Sequence, residues 1–406
     1  MRERARRAIA ECRLVAAMSE VPERTERRFL TPPTHEVHAH LRGRMEALGM
    51  SAHVDAAGNL RGLWRPKGSG GRLMLGSHID TVPDAGAFDG VLGVTLALEL
   101  VGVAQELKLP LAIEVVAFSE EEGVRYGTPF LGSRAVAGRF DSTLLSLTDA
   151  EGISMEQAVR TFGLDPAKIG EAVMDAGVTR FLEIHIEQGP VLEAEGLRVA
   201  AVTAIVGQTR LNLTFGGQAN HAGTTPMHLR RDALAAVAEW ITAVETLALK
   251  TDGLVATVGR VSVEPNAGNV VPGVAQVSLD LRHAHDAARG AAVEELVARA
   301  GSIAERRGLS LERTDRLDQP AVPMDERLTA ILTAAMEAAG FPPKTMPSGA
   351  GHDAMVMAAR VPAAMLFLRS PGGISHHPSE TVSEEDVEAA LLVGREFLLH
   401  LTGHVG

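Results

Sequence analysis

Residues 73–107 read LMLGSHIDTVPDAGAFDGVLGVTLALELVGVAQEL. A short apolar run ends in polar residues, a loop rich in Gly, Pro and Asp follows, and the next apolar stretch is too long for a strand. That order predicts strand, loop and buried helix. The rhythm resumes at residues 111–123, LAIEVVAFSEEEG, then at FLEIHIEQG (181–189) and AAVTAIVG (200–207). Strands alternating with helices give an α/β fold, a mixed sheet with helices on both faces. Such sheets bind ligands where loops leave the strand ends.

Near Thr209 the texture changes. Alternating strands TRLNLTFGG (209–217), VATVGRVSVE (255–264), AQVSLDLRH (275–283) and LSLERTD (309–315) enclose helical stretches at about 232–249 and 287–307. Strand, helix, strand, strand, helix, strand is the split βαβ order of a ferredoxin-like α+β unit. The first rhythm then returns in ERLTAILTAAMEAAG, VPAAMLFLR and EEDVEAALLVGREFLLHLTG. The expected organisation is one discontinuous domain, 1–207 plus 322–406, interrupted by a second at 208–321.

The 406 residues are 46% hydrophobic and 22% charged, an ordinary globular composition with ample core. Lys and Arg total 39 against 51 Asp and Glu, a net charge of −12 that disfavours nucleic acid and anionic membrane partners. Cys12 is the single cysteine, so intrachain disulfides and cysteine metal clusters are excluded and a reducing cytoplasm fits. The N-terminal MRERARRAIAECRLVAAMSE reads as a surface helix; a transit segment would be poorer in acidic residues. No uncharged apolar stretch reaches the roughly 18 residues that span a bilayer.

The chemistry gathers at strand ends. His78 and Asp80 lie two apart, so in extended chain both side chains leave on one face, His78 as a metal ligand and Asp80 accepting its other ring N–H. Asp89, flanked by Gly86 and Gly90, can bridge two cations or merely cap the helix that follows. Glu120, Glu121 and Glu122 repel one another unless a cation offsets their charge, and neighbours in extended chain point oppositely, giving one ligand and one base. His185 and either His376 or His377 complete three imidazoles and two carboxylates, a set suited to a two-metal site of zinc, manganese or a similar ion. Gly349 and Gly351 with His352 and Asp353 form a loop that either presents N–H groups to an anion or is a tight turn capped by Asp353. Arg125 and Tyr126 are placed to steady the glutamate loop.

GSHIDTV, GAFDGVLG, EEEGVRYGTPFLGS, EIHIEQGPVLE, NHAGTTPM, SGAGHDAM and GGISHHPSE, in this order from His78 to Glu380, resemble the hydantoinase/carbamoylase amidases, relatives of dinuclear zinc aminoacylases and carboxypeptidases. The resemblance implies that the inserted domain is a lid that also mediates homodimerisation. It implies one ion held by His78, Asp89 and His185, a second by Asp89, Glu122 and His376, and Glu121 as the general base. It also implies a substrate set of Gln208, His221, Asn269 and Arg282, to which the glycine-loop reading adds the main chain at Gly351. A histidine at 185, where related peptidases carry a carboxylate, points to the amidase branch. Arg282 suits a substrate carboxylate through paired hydrogen bonds, and His221 either donates to the oxygen that becomes negative or holds the turn at Thr224–Pro226.

The implied reaction is hydrolysis of a ureido C–N bond on a small carboxylate. The 120–138 stretch is most similar to the allantoate amidohydrolases, with N-carbamoyl-L-amino acid hydrolase and β-ureidopropionase as alternatives. A catalytically silent ligand-binding relative is the reading from another class.

Overall fold

The computed structural model describes residues 1–403. The chain divides into two compact units, Met1–Thr203 with the chain from Met324 onward, and Ala204–Pro323. The divisions fall slightly outside the expected 208 and 322. The reason is a short ladder in which Ile205 pairs with Val322 and Ala204 with Pro323, tying both ends of the insert together.

In the first unit, four parallel strands occupy the middle of a mixed sheet in the order Ala112–Phe118, Arg72–His78, Val178–Ile186 and Ala363–Leu368. Antiparallel strands Leu60–Trp64 and Ser51–Val54 extend one side, and Val199–Ile205 extends the other. Every residue of Arg72–His78, Ala112–Phe118 and Ala363–Leu368 is buried, as befits parallel strands covered on both faces. Being parallel, the four strands deliver their carboxyl ends to one edge, where His78, the glutamates, His185 and the 370–380 loop converge.

Helix Val91–Glu106 is buried on all sides from Val91 to Ala104, which is why its apolar residues show no amphipathic stripe. It packs against the sheet and against helices Arg2–Ala16 and Glu384–Thr402. Its one buried charge, Glu99, is gripped by Arg4 (2.8 Å), Arg7 (2.6 Å) and Arg44 (3.2 Å). The N-terminal helix accordingly buries Ala5, Ala8, Cys12 and Val15 and turns arginines outward and toward Glu99. A satellite core of Phe29, Tyr126, Leu131, Met155, Val159 and Phe162 is built mostly from the segment that follows Ala112–Phe118.

The second unit is the expected ferredoxin-like sheet, in the order Val261–Glu264, Val274–His283, Gly207–Gly216, Ser310–Gln319, all antiparallel. Helices Ala233–Lys250 and Asp286–Arg306 pack on it around Trp240, whose indole N–H donates to the Leu296 carbonyl at 2.8 Å. Alternate residues of Val274–His283 are buried, the period-2 signature of a sheet covered on one face. The run 255–264, read as one strand, is two short ones, Val255–Thr257 and Val261–Glu264, with Gly259 among the residues separating them. No helix among the described residues is long and apolar enough to cross a membrane.

Candidate metal centre

Asp89 is the hub. It is 3% exposed, and its Oδ1 lies 3.1 Å from His185 Nε2 and 3.6 Å from His78 Nε2. Its Oδ2 lies 3.2 Å from His376 Nε2, which is itself 3.4 Å from Glu122 Oε1. Two sets of ligand atoms, one from His78, Asp89 and His185 and one from Asp89, Glu122 and His376, each fall within 4.8 Å of one another. They share Asp89 and are the two sets the resemblance implied. Asp89 Oδ1 is buried without a hydrogen-bond partner, a costly state for a carboxylate oxygen that a cation between the imidazoles would relieve. Imidazole and carboxylate donors fit zinc or manganese, so the residues suit the implied ions.

Local structure explains the placement. Gly90 adopts φ +68°, and a Cβ there would come within 2.5 Å of the His78 ring, so only glycine lets the imidazole lie over the start of the helix. Asp80 does more than the spacing suggested. His78 Nδ1 is closer to the Asp80 carbonyl (3.0 Å) than to its carboxylate (3.5 Å). The carboxylate instead accepts the backbone N–H groups of Glu121 (2.9 Å) and Glu122 (3.0 Å). Behind that loop Arg125 donates to Asp149 (2.9 Å) and to the Phe29 carbonyl (2.7 Å), while Tyr126 packs edge-on to Phe29.

His185, one residue from the carboxyl end of its strand as its position in the sequence suggested, is buried, with Nδ1 at 2.8 Å from the Ile186 carbonyl. That bond turns Nε2 toward Asp89. His376 is half exposed at φ +54°, and His377 accepts from the Ser379 N–H and joins neither set.

The charges are interlocked. Despite burial, the imidazoles of His185, His376 and His78 beside it hold Asp89 well below the usual carboxylate range. Asp80 and then Asp89 outweigh burial and raise His78 well above its ordinary value. The adjacent Asp89 carboxylate brings His376 up to about 9. Burial, reinforced by Asp89, lifts Glu122 to about 7, and burial raises Glu121 well above the normal range with Glu122 and Asp353 adding to it. A carboxyl group with raised proton affinity, 8% exposed beside the two sets, is suited to accept and return a proton.

Gly351 runs beside that carboxyl. A Cβ at this position would lie 3.9 Å from Glu121 Oε1 and 2.8 Å from the Phe130 ring. Asp353 does not cap the following helix, Asp353–Met357; it is fully buried with both oxygens unpaired, and Glu183 accepts the Ala354 N–H at 2.8 Å instead. Glu183 was missed because it sits within an apolar run, and His352 was read only as part of the glycine loop. His352 lies edge-on to His185 at 4.4 Å, and burial, with His185 adding to it, keeps its ring neutral.

In the second unit, strand Asn220–His221 pairs with Val270–Val271, bringing His221 beside Asn269, whose carbonyl accepts the Ala222 N–H at 2.9 Å. His221 Nδ1 accepts from the N–H groups of Gly223 (3.0 Å) and Thr224 (3.2 Å), so the ring proton sits on Nε2, which faces away from the turn. Holding the turn and donating outward are thus compatible. Arg282 and Gln208 are cross-strand partners, and both donate to Asp280, Arg282 through Nε (2.9 Å) and Nη2 (3.1 Å) and Gln208 at 2.6 Å. Asp280, two residues before Arg282 on the same strand face, is the carboxylate that the sequence reading overlooked.

A shared carboxylate between two N/O ligand sets, a buried carboxyl beside it and the parallel-strand ends that carry them are the parts of a two-metal hydrolytic site. The chain belongs to peptidase family M20/M25/M40, whose family model matches residues 74–400. It is 39% identical to an allantoate deiminase of Arabidopsis thaliana over 96% of this chain and 81% of that one. It is 40% identical to an N-carbamoyl-L-amino acid amidohydrolase of Geobacillus stearothermophilus over 88% of this chain and 87% of that one. The crystal structure of a hydantoinase/carbamoylase family amidase from Burkholderia multivorans matches with a TM-score of 0.91 at 30% identity, covering 98% of each chain. The protein is a ureido or amide hydrolase of this family.

Proposed function

We propose that this protein hydrolyses allantoate, breaking the C–N bonds at the carbonyl of one ureido group. With one water consumed, a group R–NH–CO–NH2 yields R–NH2, carbon dioxide and ammonia. The observation that carries the reading is the pair of ligand sets sharing Asp89 with Glu121 beside them. Likeness to the Arabidopsis allantoate deiminase across 96% of the chain supports the substrate.

His78, Asp89 and His185 would hold one divalent ion and Asp89, Glu122 and His376 the other, zinc by default and manganese as the alternative. When bound, such ions supply Lewis acidity and bring the pKa of water from about 15.7 toward 7. Glu121 takes the proton of the attacking water on its carboxylate and returns it to the departing nitrogen. His221 donates from Nε2 to the carbonyl oxygen as it becomes negative, while Asn269, Gln208, Arg282 and the Gly351 main chain orient the substrate, Arg282 by its carboxylate. The enzyme acts in the cytoplasm as a homodimer. Leu249 (83% exposed), Val255 (60%) and Val261 (41%) in the second unit are apolar surface consistent with a partner copy.

Likeness to the Geobacillus enzyme favours a second reading, hydrolysis of N-carbamoyl-L-amino acids; β-ureido acids present the same groups. Ammonia release by ion-loaded protein from allantoate, several N-carbamoyl-L-amino acids and β-ureidopropionate, with a chelated control, separates them. Chelator-sensitive release from allantoate alone is expected. Preference for a carbamoyl amino acid overturns the substrate, and release from none overturns the activity.

A further inference from the structure

Resting on the metal reading above, we infer that Glu380 is a positioning residue for Asp89. It acts through Ser375 and the main chain, and it sets the affinity for the divalent ions without ligating either.

Glu380 is 5% exposed and belongs to neither ligand set. Its Oε1 accepts the backbone N–H groups of Phe88 and Asp89, both at 3.0 Å, which fixes the chain from which the shared carboxylate projects. Its Oε2 accepts the Ser375 hydroxyl at 2.9 Å. Gly86 is the position that makes room, since a Cβ there would collide with the Glu380 side chain.

The Ser375 hydroxyl also lies 3.3 Å from Asp89 Oδ2, the oxygen that faces His376. A hydroxyl has one proton to donate, and two carboxylates compete for it. Glu380 is nearer and draws the proton to itself. Asp89 Oδ2 then keeps its lone pairs for a cation, with only the Gln188 side-chain amide donating to it firmly, at 3.0 Å. Without the Glu380 charge the hydroxyl turns to Asp89 Oδ2 and competes with the ion for that oxygen. In Glu380→Gln the oxygen can still accept both backbone N–H groups, but the new NH2 faces Ser375 and forces the hydroxyl toward Asp89.

The test titrates metal-free wild type, Glu380→Gln and the double variant Glu380→Gln/Ser375→Ala with zinc against a chromophoric competing chelator. Melting of the metal-free proteins and the visible spectra of the cobalt-loaded ones are recorded beside it. Glu380→Gln is expected to bind zinc about 10–100-fold more weakly, the usual cost of losing a group that supports a ligand, with an altered cobalt spectrum. The double variant, having no hydroxyl to compete, is expected to recover part of that loss. A purely structural anchor predicts no recovery, so failure of the double variant to bind more tightly than Glu380→Gln overturns the inference, whatever happens to the melting temperature. Wild-type affinity in Glu380→Gln overturns it as well. Absence of zinc binding by the wild type would instead remove the metal reading itself.

Discussion

Asp80 shows how one side chain divides labour among its neighbours. By accepting two consecutive backbone N–H groups it fixes the main chain at Glu121 and Glu122, and Phe130 N–H adds a bond to the Glu121 carbonyl at 3.1 Å. Glu120, immediately before them, is buried at 1% exposure with both oxygens unpaired and, chiefly through burial, is raised well above the normal range. Three identical residues thus have three environments. Spacing alone indicated that neighbours diverge, and the resemblance alone chose between them, because the deciding contacts come from residues some forty and nine positions away. Glu121→Gln is expected to lower kcat by about 10²–10⁴-fold, the usual worth of a positioned acid–base group, while zinc binding stays within a fewfold of wild type. Turnover that survives this change would remove Glu121 as the base.

At the level of elements, composition reveals the helix that is buried all round and the strands beside it, since a long apolar run and short apolar runs have few other destinies. It does not reveal Thr345–Ser348 or Ser51–Val54, which at four residues each are too short for an alternation to stand out. Helix Pro32–Ala47 hides a further feature. His38 is 4% exposed, its Nε2 is unpaired, and its ring meets Phe162 edge-on. Burial, with the neighbouring His35 adding to it, pushes His38 down to about 3. Below pH 6.5 the unfolded chain takes up a proton there that the folded chain refuses. The corresponding stability is therefore complete above pH 6.5 and declines as pH falls from 6.5 toward 3. From pH 7 to 5 this one site costs about 2 kcal/mol at 1.36 kcal/mol per unit. Urea midpoints at these two pH values should fall less in His38→Leu than in wild type; equal declines would mean that the ring is protonated in the native state.

Across the whole molecule, Asp89, Glu121, Glu122, Glu183 and Asp353 place many buried carboxyls near one another, and a cation offsets their mutual repulsion. Scanning calorimetry should show the ion-loaded protein melting above the chelated one, with about 2.7 kcal/mol gained at a hundredfold excess over Kd. Identical melting curves would mean that the cluster does not bind the ion. The interrupted architecture was legible at this scale because the sheet period replaces the helix–strand rhythm near Thr209 and yields to it again after Pro323. The boundaries were less so, because the ladder joining residues 204–205 to 322–323 lies between segments more than a hundred residues apart and leaves no local trace.

That ladder has a consequence for the covalent chain. Just outside it, the Met324 N–H donates to the Thr203 carbonyl at 2.9 Å, so the two cut ends of the first unit already stand at hydrogen-bonding distance. The insert has its own apolar centre around Trp240 and its own closed entrance and exit. A tight turn joining Thr203 to Met324 would therefore leave the ligand-bearing sheet with an unbroken backbone, and the piece removed could be grafted as a cassette between adjacent strands of another protein.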